Sequence, residues 1–214
     1  MSENELNELA VALADGLRAV SAQRPELAGQ LLWILAEGHP VSPEQIAGVL
    51  DVSREEAIHM LRESPGVELD DEDKVTGCFG LSLAPTPHHF RLGDHELFTW
   101  CALDALFLPI VLNRSARVES SCAVTGERIL VAVSPDAIQR VEPASAVLAI
   151  VVPEASEVCC DVRNAFCHKV HFFSSSETAS QWVAKHKGAT ILTVNEAYRL
   201  GQLLLKNLFQ EDRK

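Results

Sequence analysis

The chain has 214 residues, 47% hydrophobic and 22% charged, with a formal net charge of −12. That balance describes a globular protein with a sizeable core and excludes a disordered chain. It also speaks against nucleic acid and anionic membrane surfaces as partners, because both need clustered Lys and Arg to neutralise phosphates.

The opening "MSENELNELAVALADGLRAV" is acidic and has neither a basic n-region nor a cleavage site, so no signal peptide is expected. No apolar run reaches membrane-spanning length without a charge. A cytoplasmic location is the expectation. Six cysteines occur, Cys78, Cys101, Cys122, Cys159, Cys160 and Cys167. In a cytosolic chain these are reduced thiols, some inert, some reactive or metal-binding. None forms a CxxC pair with zinc-finger spacing.

Glu5 to Val20 is amphipathic and predicts a first helix. "PELAGQLLWILAEG" predicts a second, with Pro25 at its start and Gly38 past its end. In "SPEQIAGVLD", Ser42, Pro43 and Gln45 form a capping-box pattern. Ser53 and Glu56 repeat the signature before "EEAIHMLRES". "GVELDDEDKVTGCFGLSLAP" predicts a hairpin turning at "DDED", with Cys78 as a hairpin residue. Three helices and a hairpin make a winged helix-turn-helix outline. Its charges oppose a regulator that binds DNA. Between Glu26 and Glu63 stand seven acids (Glu26, Glu37, Glu44, Asp51, Glu55, Glu56, Glu63) and two bases, Arg54 and Arg62. A packing module is expected over residues 1–83, with a boundary near Pro85–Pro87.

Residues 84–214 read as an α+β domain, a mixed or antiparallel sheet with packed helices. Asp94 is the expected N-cap of a helix running to about Val111. "ARVESSCAVTGERILVAVS" predicts two strands around a Thr125-Gly126 turn, and "SAVLAIVV" a strand buried on both faces. "KVHFF" is a short strand. "SSETASQWVAKHKG" is a helix capped by Ser176 and closed by Gly188. "ATILTV" is a strand and "NEAYRLGQLLLKNLFQ" the last helix.

Within "FTWCALDALFLPI" a thiol, Cys101, and a carboxylate, Asp104, stand three residues apart. On a helix they would share a face. A buried carboxylate is costly unless it is satisfied or protonated. Two readings stay open on this stretch: a satisfied Asp beside a structural Cys, or a reactive pair.

"WCALDALFLP", "ARVESSCAVTG" and "DVRNAFCHKVHFF" together resemble the organomercurial (alkylmercury) lyases. "GHPVSPEQIAGVLDVS" and "SQWVAKHKGA…VNEAYRLGQ" are similar too, so the resemblance runs over most of the chain and is strongest from Leu97 to Phe173. It implies cleavage of a carbon–mercury bond to a hydrocarbon and Hg(II). It implies that Cys101, Cys167 and Asp104 form the mercury site, that the two thiols bind the metal, that Asp104 moves the proton, and that Cys122 is structural. It further implies alkyl- and arylmercury substrates, no required cofactor, Hg(II) as bound product, external thiols for turnover, and a mercuric reductase as acceptor of Hg(II). Some relatives carry a second Cys after the second thiol; here that position is His168.

The chemistry of the residues fits. Mercury is a soft cation and thiolate the soft ligand proteins possess. Two thiolates weaken the bond to carbon, and a proton must reach that carbon as it gains carbanion character. Burial keeps a proton on Asp104 near neutral pH. Cys159 and Cys160 are read as incidental thiols or accessory ligands. A zinc cluster of Cys167, His168 and His171 is disfavoured, because His171 alternates with Phe172 on a strand. Trp100 and Phe166 flank the two thiols as core aromatics that also suit an apolar organic group. A soft-metal carrier for Hg(II) or Cu(I), without bond cleavage, is the competing function; it needs the thiols but no proton carrier.

Overall fold

A computed structural model describes residues 1–21, 25–153 and 162–209. Helices α1 (Glu3–Ser21) and α2 (Pro25–Leu35) lead into α3 (Pro43–Leu50) and α4 (Arg54–Arg62). Ser42 and Ser53 cap their helices, the first with the full capping box and the second through its own side chain alone. Ser42 accepts from the Gln45 N–H while the Gln45 side chain accepts from the Ser42 N–H, and Ser53 accepts from the Glu56 N–H. Each cap satisfies donors that the first helical turn leaves unpaired.

Strands β1 (Val67–Leu69), β2 (Val75–Cys78), β3 (Leu81–Ser82), β4 (His88–Leu92) and β5 (His95–Thr99) follow. They join β6 (Ala116–Ser121), β7 (Arg128–Val133) and β8 (Ile138–Glu142) in an eight-stranded sheet of order β1-β2-β3-β5-β4-β6-β7-β8, in which every pairing is antiparallel. The sheet runs without a break from the amino-terminal hairpin to β8. A second antiparallel sheet, β10-β9-β11, pairs β9 (Val147–Val151) with β10 (His171–Phe173) and β11 (Ala189–Thr193). Val147 to Ile150 are all buried, as a continuous apolar run requires. Helices α5 (Asp104–Val111), α6 (Val162–Ala165), α7 (Ser176–Val183) and α8 (Val194–Phe209) complete the described elements. The result is an α+β fold with antiparallel sheets.

Three expectations are corrected. Asp94 caps no helix: it lies in the turn of the β4–β5 hairpin, and the stretch after it is strand. "HELFT" buries Leu97 and Thr99 and leaves Glu96 exposed, a period of two that pairing with β4 selects over helix. The helix begins ten residues later, at Asp104. Cys101 and Asp104 therefore do not share a helical face, since Cys101 precedes the helix. Finally, the α7 cap is Ser175, whose side chain accepts from the Thr178 N–H, and Ser176 is the first helical residue; Gly188 lies beyond the helix end at Val183.

Two long helices hold the chain's ends together. α1 packs along α8, with Arg199 paired to Glu3 and the Met1 amino group to Glu196. Between them and α2 and α5 a cavity remains.

Candidate active site

The site begins where β5 ends. Thr99 closes the strand, and Trp100 donates its N–H to the Gly80 carbonyl at 2.8 Å. The chain turns through Cys101 and enters α5 at Asp104. No side chain caps this helix from outside. Instead the Asp104 carboxylate folds back, and Oδ2 accepts the Cys101 N–H at 2.9 Å. The three-residue spacing thus serves a local turn that brings carboxylate and thiol together.

Cys167 arrives from 63 residues downstream. It follows α6 and opens the 3-10 turn Cys167–Lys169 just before β10. Pairing of β10 with β9, and the bond from the Ala102 N–H to the Val170 carbonyl, hold that turn against the Cys101 loop. The Cys167 Sγ lies 3.8 Å from Asp104 Oδ2. The ligand atoms of Cys101, Asp104 and Cys167 all fall within 4.8 Å of one another, and among the described residues this is the one such group of three His, Cys, Asp or Glu. His168 and His171 are not in it. His171 is a strand residue edged against Phe173 and Trp182, and the exposed His168 lines a separate polar pocket. Cys159 and Cys160 lie outside the described residues.

Burial sets the electrostatics. Cys101 is fully buried, Cys167 is 4% exposed and Asp104 5%. Desolvation lifts the Asp104 carboxyl from 3.8 to about 7, outweighing its hydrogen bonds from Cys101 and Cys167 and the attraction of Arg163. Burial, the Cys167 contact and the nearby carboxylate push the Cys101 thiol well above its ordinary value. Contact with Cys101 pulls the Cys167 thiol down, but burial and Asp104 leave it raised as well. In the resting site both sulfurs hold their protons, and the carboxyl can give or take one near neutral pH.

Asp104 and Cys167 line a cavity of about 240 Å³. Trp100, Phe107 and Phe166 wall it on the side of the site, so both flanking aromatics read from the sequence reach it. Leu17 of α1, Ala28, Gly29 and Leu32 of α2, and Leu204 and Leu208 of α8 also line it. The walls are apolar, and the ionisable side chains among them are those of Asp104 and Cys167.

Sequence reasoning missed two contributors. Gly80 has φ +96, and a Cβ there would sit 2.6 Å from the Asp104 Cγ. Only glycine leaves room for the carboxyl. Its signal was a lone glycine between two short strands, which marks close backbone approach. Arg163, on α6, places its guanidinium 5.8 Å from the Trp100 ring centroid and pairs with Glu68 of β1. The i to i+4 spacing from Arg163 to Cys167 was the available hint.

Cys122 sits apart, following β6 and 2% exposed. Burial would raise its thiol, but hydrogen bonds from the Thr125 side chain and from the backbone of Ser174, Thr125 and Val124 outweigh that and bring it to about 6. The Ala123 N–H bonds the Phe172 carbonyl, so this turn ties the large sheet to β10.

The alkylmercury lyase (MerB) family profile matches residues 81–206. An alkylmercury lyase of Streptomyces lividans is 39% identical over 212 residues, 98% of this chain and 97% of that one. That of Bacillus cereus is 43% identical over 174 residues, 81% and 78% of the two chains. That of Pseudomonas putida is 38% identical over 184 residues, 86% and 85%. The crystal structure of the mercury-bound form of MerB2 covers 96% of this chain and 100% of that one, at 25% identity and a TM-score of 0.75. With one curated relative aligned almost end to end, others over most of their length, and two thiols held against one buried carboxyl, the chain belongs to the alkylmercury lyases, enzymes that break carbon–mercury bonds.

Proposed function

We propose that this enzyme cleaves alkyl- and arylmercury compounds by protonolysis, with Cys101 and Cys167 as mercury ligands and Asp104 as the proton carrier. The observation that carries the reading is a carboxyl raised to about 7 with Cys101 and Cys167 as its hydrogen-bond partners.

The substrate arrives as an organomercurial thiolate, R–Hg–SR′. The Cys101 sulfur displaces R′S⁻ from mercury, its proton leaving with R′SH. Cys167 then binds mercury as thiolate, and its proton passes to Asp104 as the carboxyl gives up its own. Electron density donated by two soft ligands weakens the bond from mercury to carbon. Asp104 delivers the proton to that carbon; the C–Hg bond breaks, R–H departs, and Hg(II) remains on two thiolates. Two external thiols take the Hg(II) and return a proton to each cysteine. Asp104 serves because it holds a proton near pH 7 and can also release one; an ordinary carboxylate would be ionised throughout. A carrier that only bound Hg(II) or Cu(I) would have no use for this group, which favours the lyase.

No resident cofactor enters these steps. A mercuric reductase is the proposed acceptor of the Hg(II), in the cytoplasm. Residues 1–83 act as a winged helix-turn-helix-like packing module on a catalytic part spanning 84–214, and seven acids against two bases between Glu26 and Glu63 argue against DNA binding. Cys122 is structural: its hydrogen bonds tie a turn to the neighbouring strand, away from the cavity. Incubation with phenylmercury and excess thiol tests the function directly. Stoichiometric benzene is expected, and Hg(II) uptake without benzene would support the carrier.

A further inference from the structure

The cavity is built from both ends of the chain, and the amino-terminal side differs from the rest in how tightly it is filled. On α8, a Cβ at Gly201 would lie 2.9 Å from the Phe107 Cβ, so α5 and α8 are already in contact there. At Gly80 the space is taken by Asp104. At Gly29 a Cβ would meet nothing within 4 Å, although Gly29 lines the cavity with Ala28 and Leu32. Positions 28, 29 and 32 share one face of α2. Glycine inside a helix is unfavourable relative to alanine, and no turn or positive φ at this position calls for it.

We infer that the α2 face of Ala28, Gly29 and Leu32 limits the size of the organic group, and that the bare backbone at Gly29 is what admits an aryl group. This rests on the lyase reading above and adds to it the wall that selects the substrate. The volume agrees. A dry apolar cavity of about 150 Å³ is enough to bind benzene. This one, at about 240 Å³, takes a phenyl ring held on mercury. A leucine at position 29 would grow into that space, and its four side-chain carbons would compete with the ring. A methyl group needs far less room, so the two substrates should separate. Pockets discriminate in this way when a bulky group is rejected by overlap.

The test uses the full chain and the variants Gly29→Ala, Gly29→Leu and Gly29→Met, with Gly48→Leu as control. Gly48 is another helical glycine with open space at its Cβ, but it is exposed and outside the cavity lining. The ratio of kcat/KM for phenylmercury to that for methylmercury should fall at least tenfold in Gly29→Leu. It should fall little in Gly29→Ala and stay constant in Gly48→Leu. Gly29→Met repeats the measurement with a flexible side chain if leucine does not fold. Benzene binding to the mercury-free protein, followed by ligand-observed NMR, reads the wall independently of chemistry: it should be lost in Gly29→Leu or Gly29→Met. An unchanged ratio with benzene still bound in a folded variant would overturn the inference. Gly29-dependent benzene binding in a protein that releases no benzene from phenylmercury would instead sink the lyase reading and leave the wall standing.

Discussion

Asp104→Asn should make the protein more stable and nearly inactive. The folded protein holds the Asp104 proton up to about pH 7, whereas the unfolded chain releases it near 3.8. A carboxyl raised on folding contributes stability that is fully present below the unfolded value and is lost as pH climbs to the folded one. At 1.36 kcal/mol per pH unit that loss is about 4 kcal/mol, an upper figure for one buried group. Asparagine does not titrate, yet it keeps the shape and an acceptor for the Cys101 N–H. Denaturant melts with reduced thiols should therefore show the variant gaining on wild type between about pH 4 and 7, with no further gain above. For a chain of this size the gain corresponds to roughly 10 °C in Tm. Turnover should fall about 10²-fold or more, as general acid–base catalysis is usually worth. Pre-loading with phenylmercury at raised pH, where thiols ionise unaided, isolates proton delivery from capture. Benzene release from the pre-loaded variant at the wild-type rate would refute the proton-carrier role. Parallel stability curves at every pH would refute the burial argument beneath it.

The thiols should divide by position. Cys101→Ser and Cys167→Ser should each abolish benzene release while leaving circular dichroism unchanged, because serine is a hard ligand; near wild-type turnover in either removes that residue from the mechanism. Cys122→Ser should cost about 1–3 kcal/mol through its buried hydrogen bonds, read as a lower Tm, with specific activity of the folded fraction largely kept. A well-folded, inactive Cys122→Ser would contradict the structural reading. Gly80→Ala should lower stability by about 1–3 kcal/mol for the positive φ and also displace Asp104, so kcat should drop at least tenfold in the fraction that folds. Unaltered kcat there would mean the carboxyl has room to move.

Local features were legible because their causes are local. Ser42 with Gln45 and Ser53 with Glu56 cap their helices through contacts three residues long, and a reader needs no tertiary information to find them. The strand at Val147–Val151 was legible from its unbroken apolar run. The Asp94 error has the opposite origin. Asp is a good N-cap in isolation, and only the ladder with β4 makes His95–Thr99 a strand. The site shows the same division. Cys101 and Asp104 were visible as a pair, for a wrong geometric reason: the carboxyl bends back to a backbone N–H instead of lining up along a helix. Cys167 joins them across 63 residues, which no spacing rule reaches; its assignment came from resemblance of whole motifs. The fit of Gly80 over Asp104 and the Glu68–Arg163 pair depend on β1, β2 and α6 meeting, so no one-dimensional pattern contains them.

Burial explains why the proposed chemistry suits this site and not an exposed pair of thiols. A low-dielectric cavity penalises every separated charge, so a path through it is easiest when each species is neutral. The resting groups meet that condition: two protonated thiols, and a carboxyl that is neutral below about pH 7. The fixed cation nearby, Arg163, is matched by Glu68. On the proposed path, exchange of one thiol for another on R–Hg⁺ leaves no net charge behind. Transfer of the Cys167 proton through Asp104 to carbon then converts one thiol into the second thiolate, and the two thiolates together balance Hg(II). An amine or imidazole in place of Asp104 would begin or end as a cation inside the cavity. A carboxyl begins neutral, donates to carbon as mercury takes up the Cys167 sulfur, and ends neutral again because the Cys167 proton replaces the one it gave. The same burial that makes Asp104 costly to the fold is thus what lets it carry a proton at a pH where ordinary carboxyls have none.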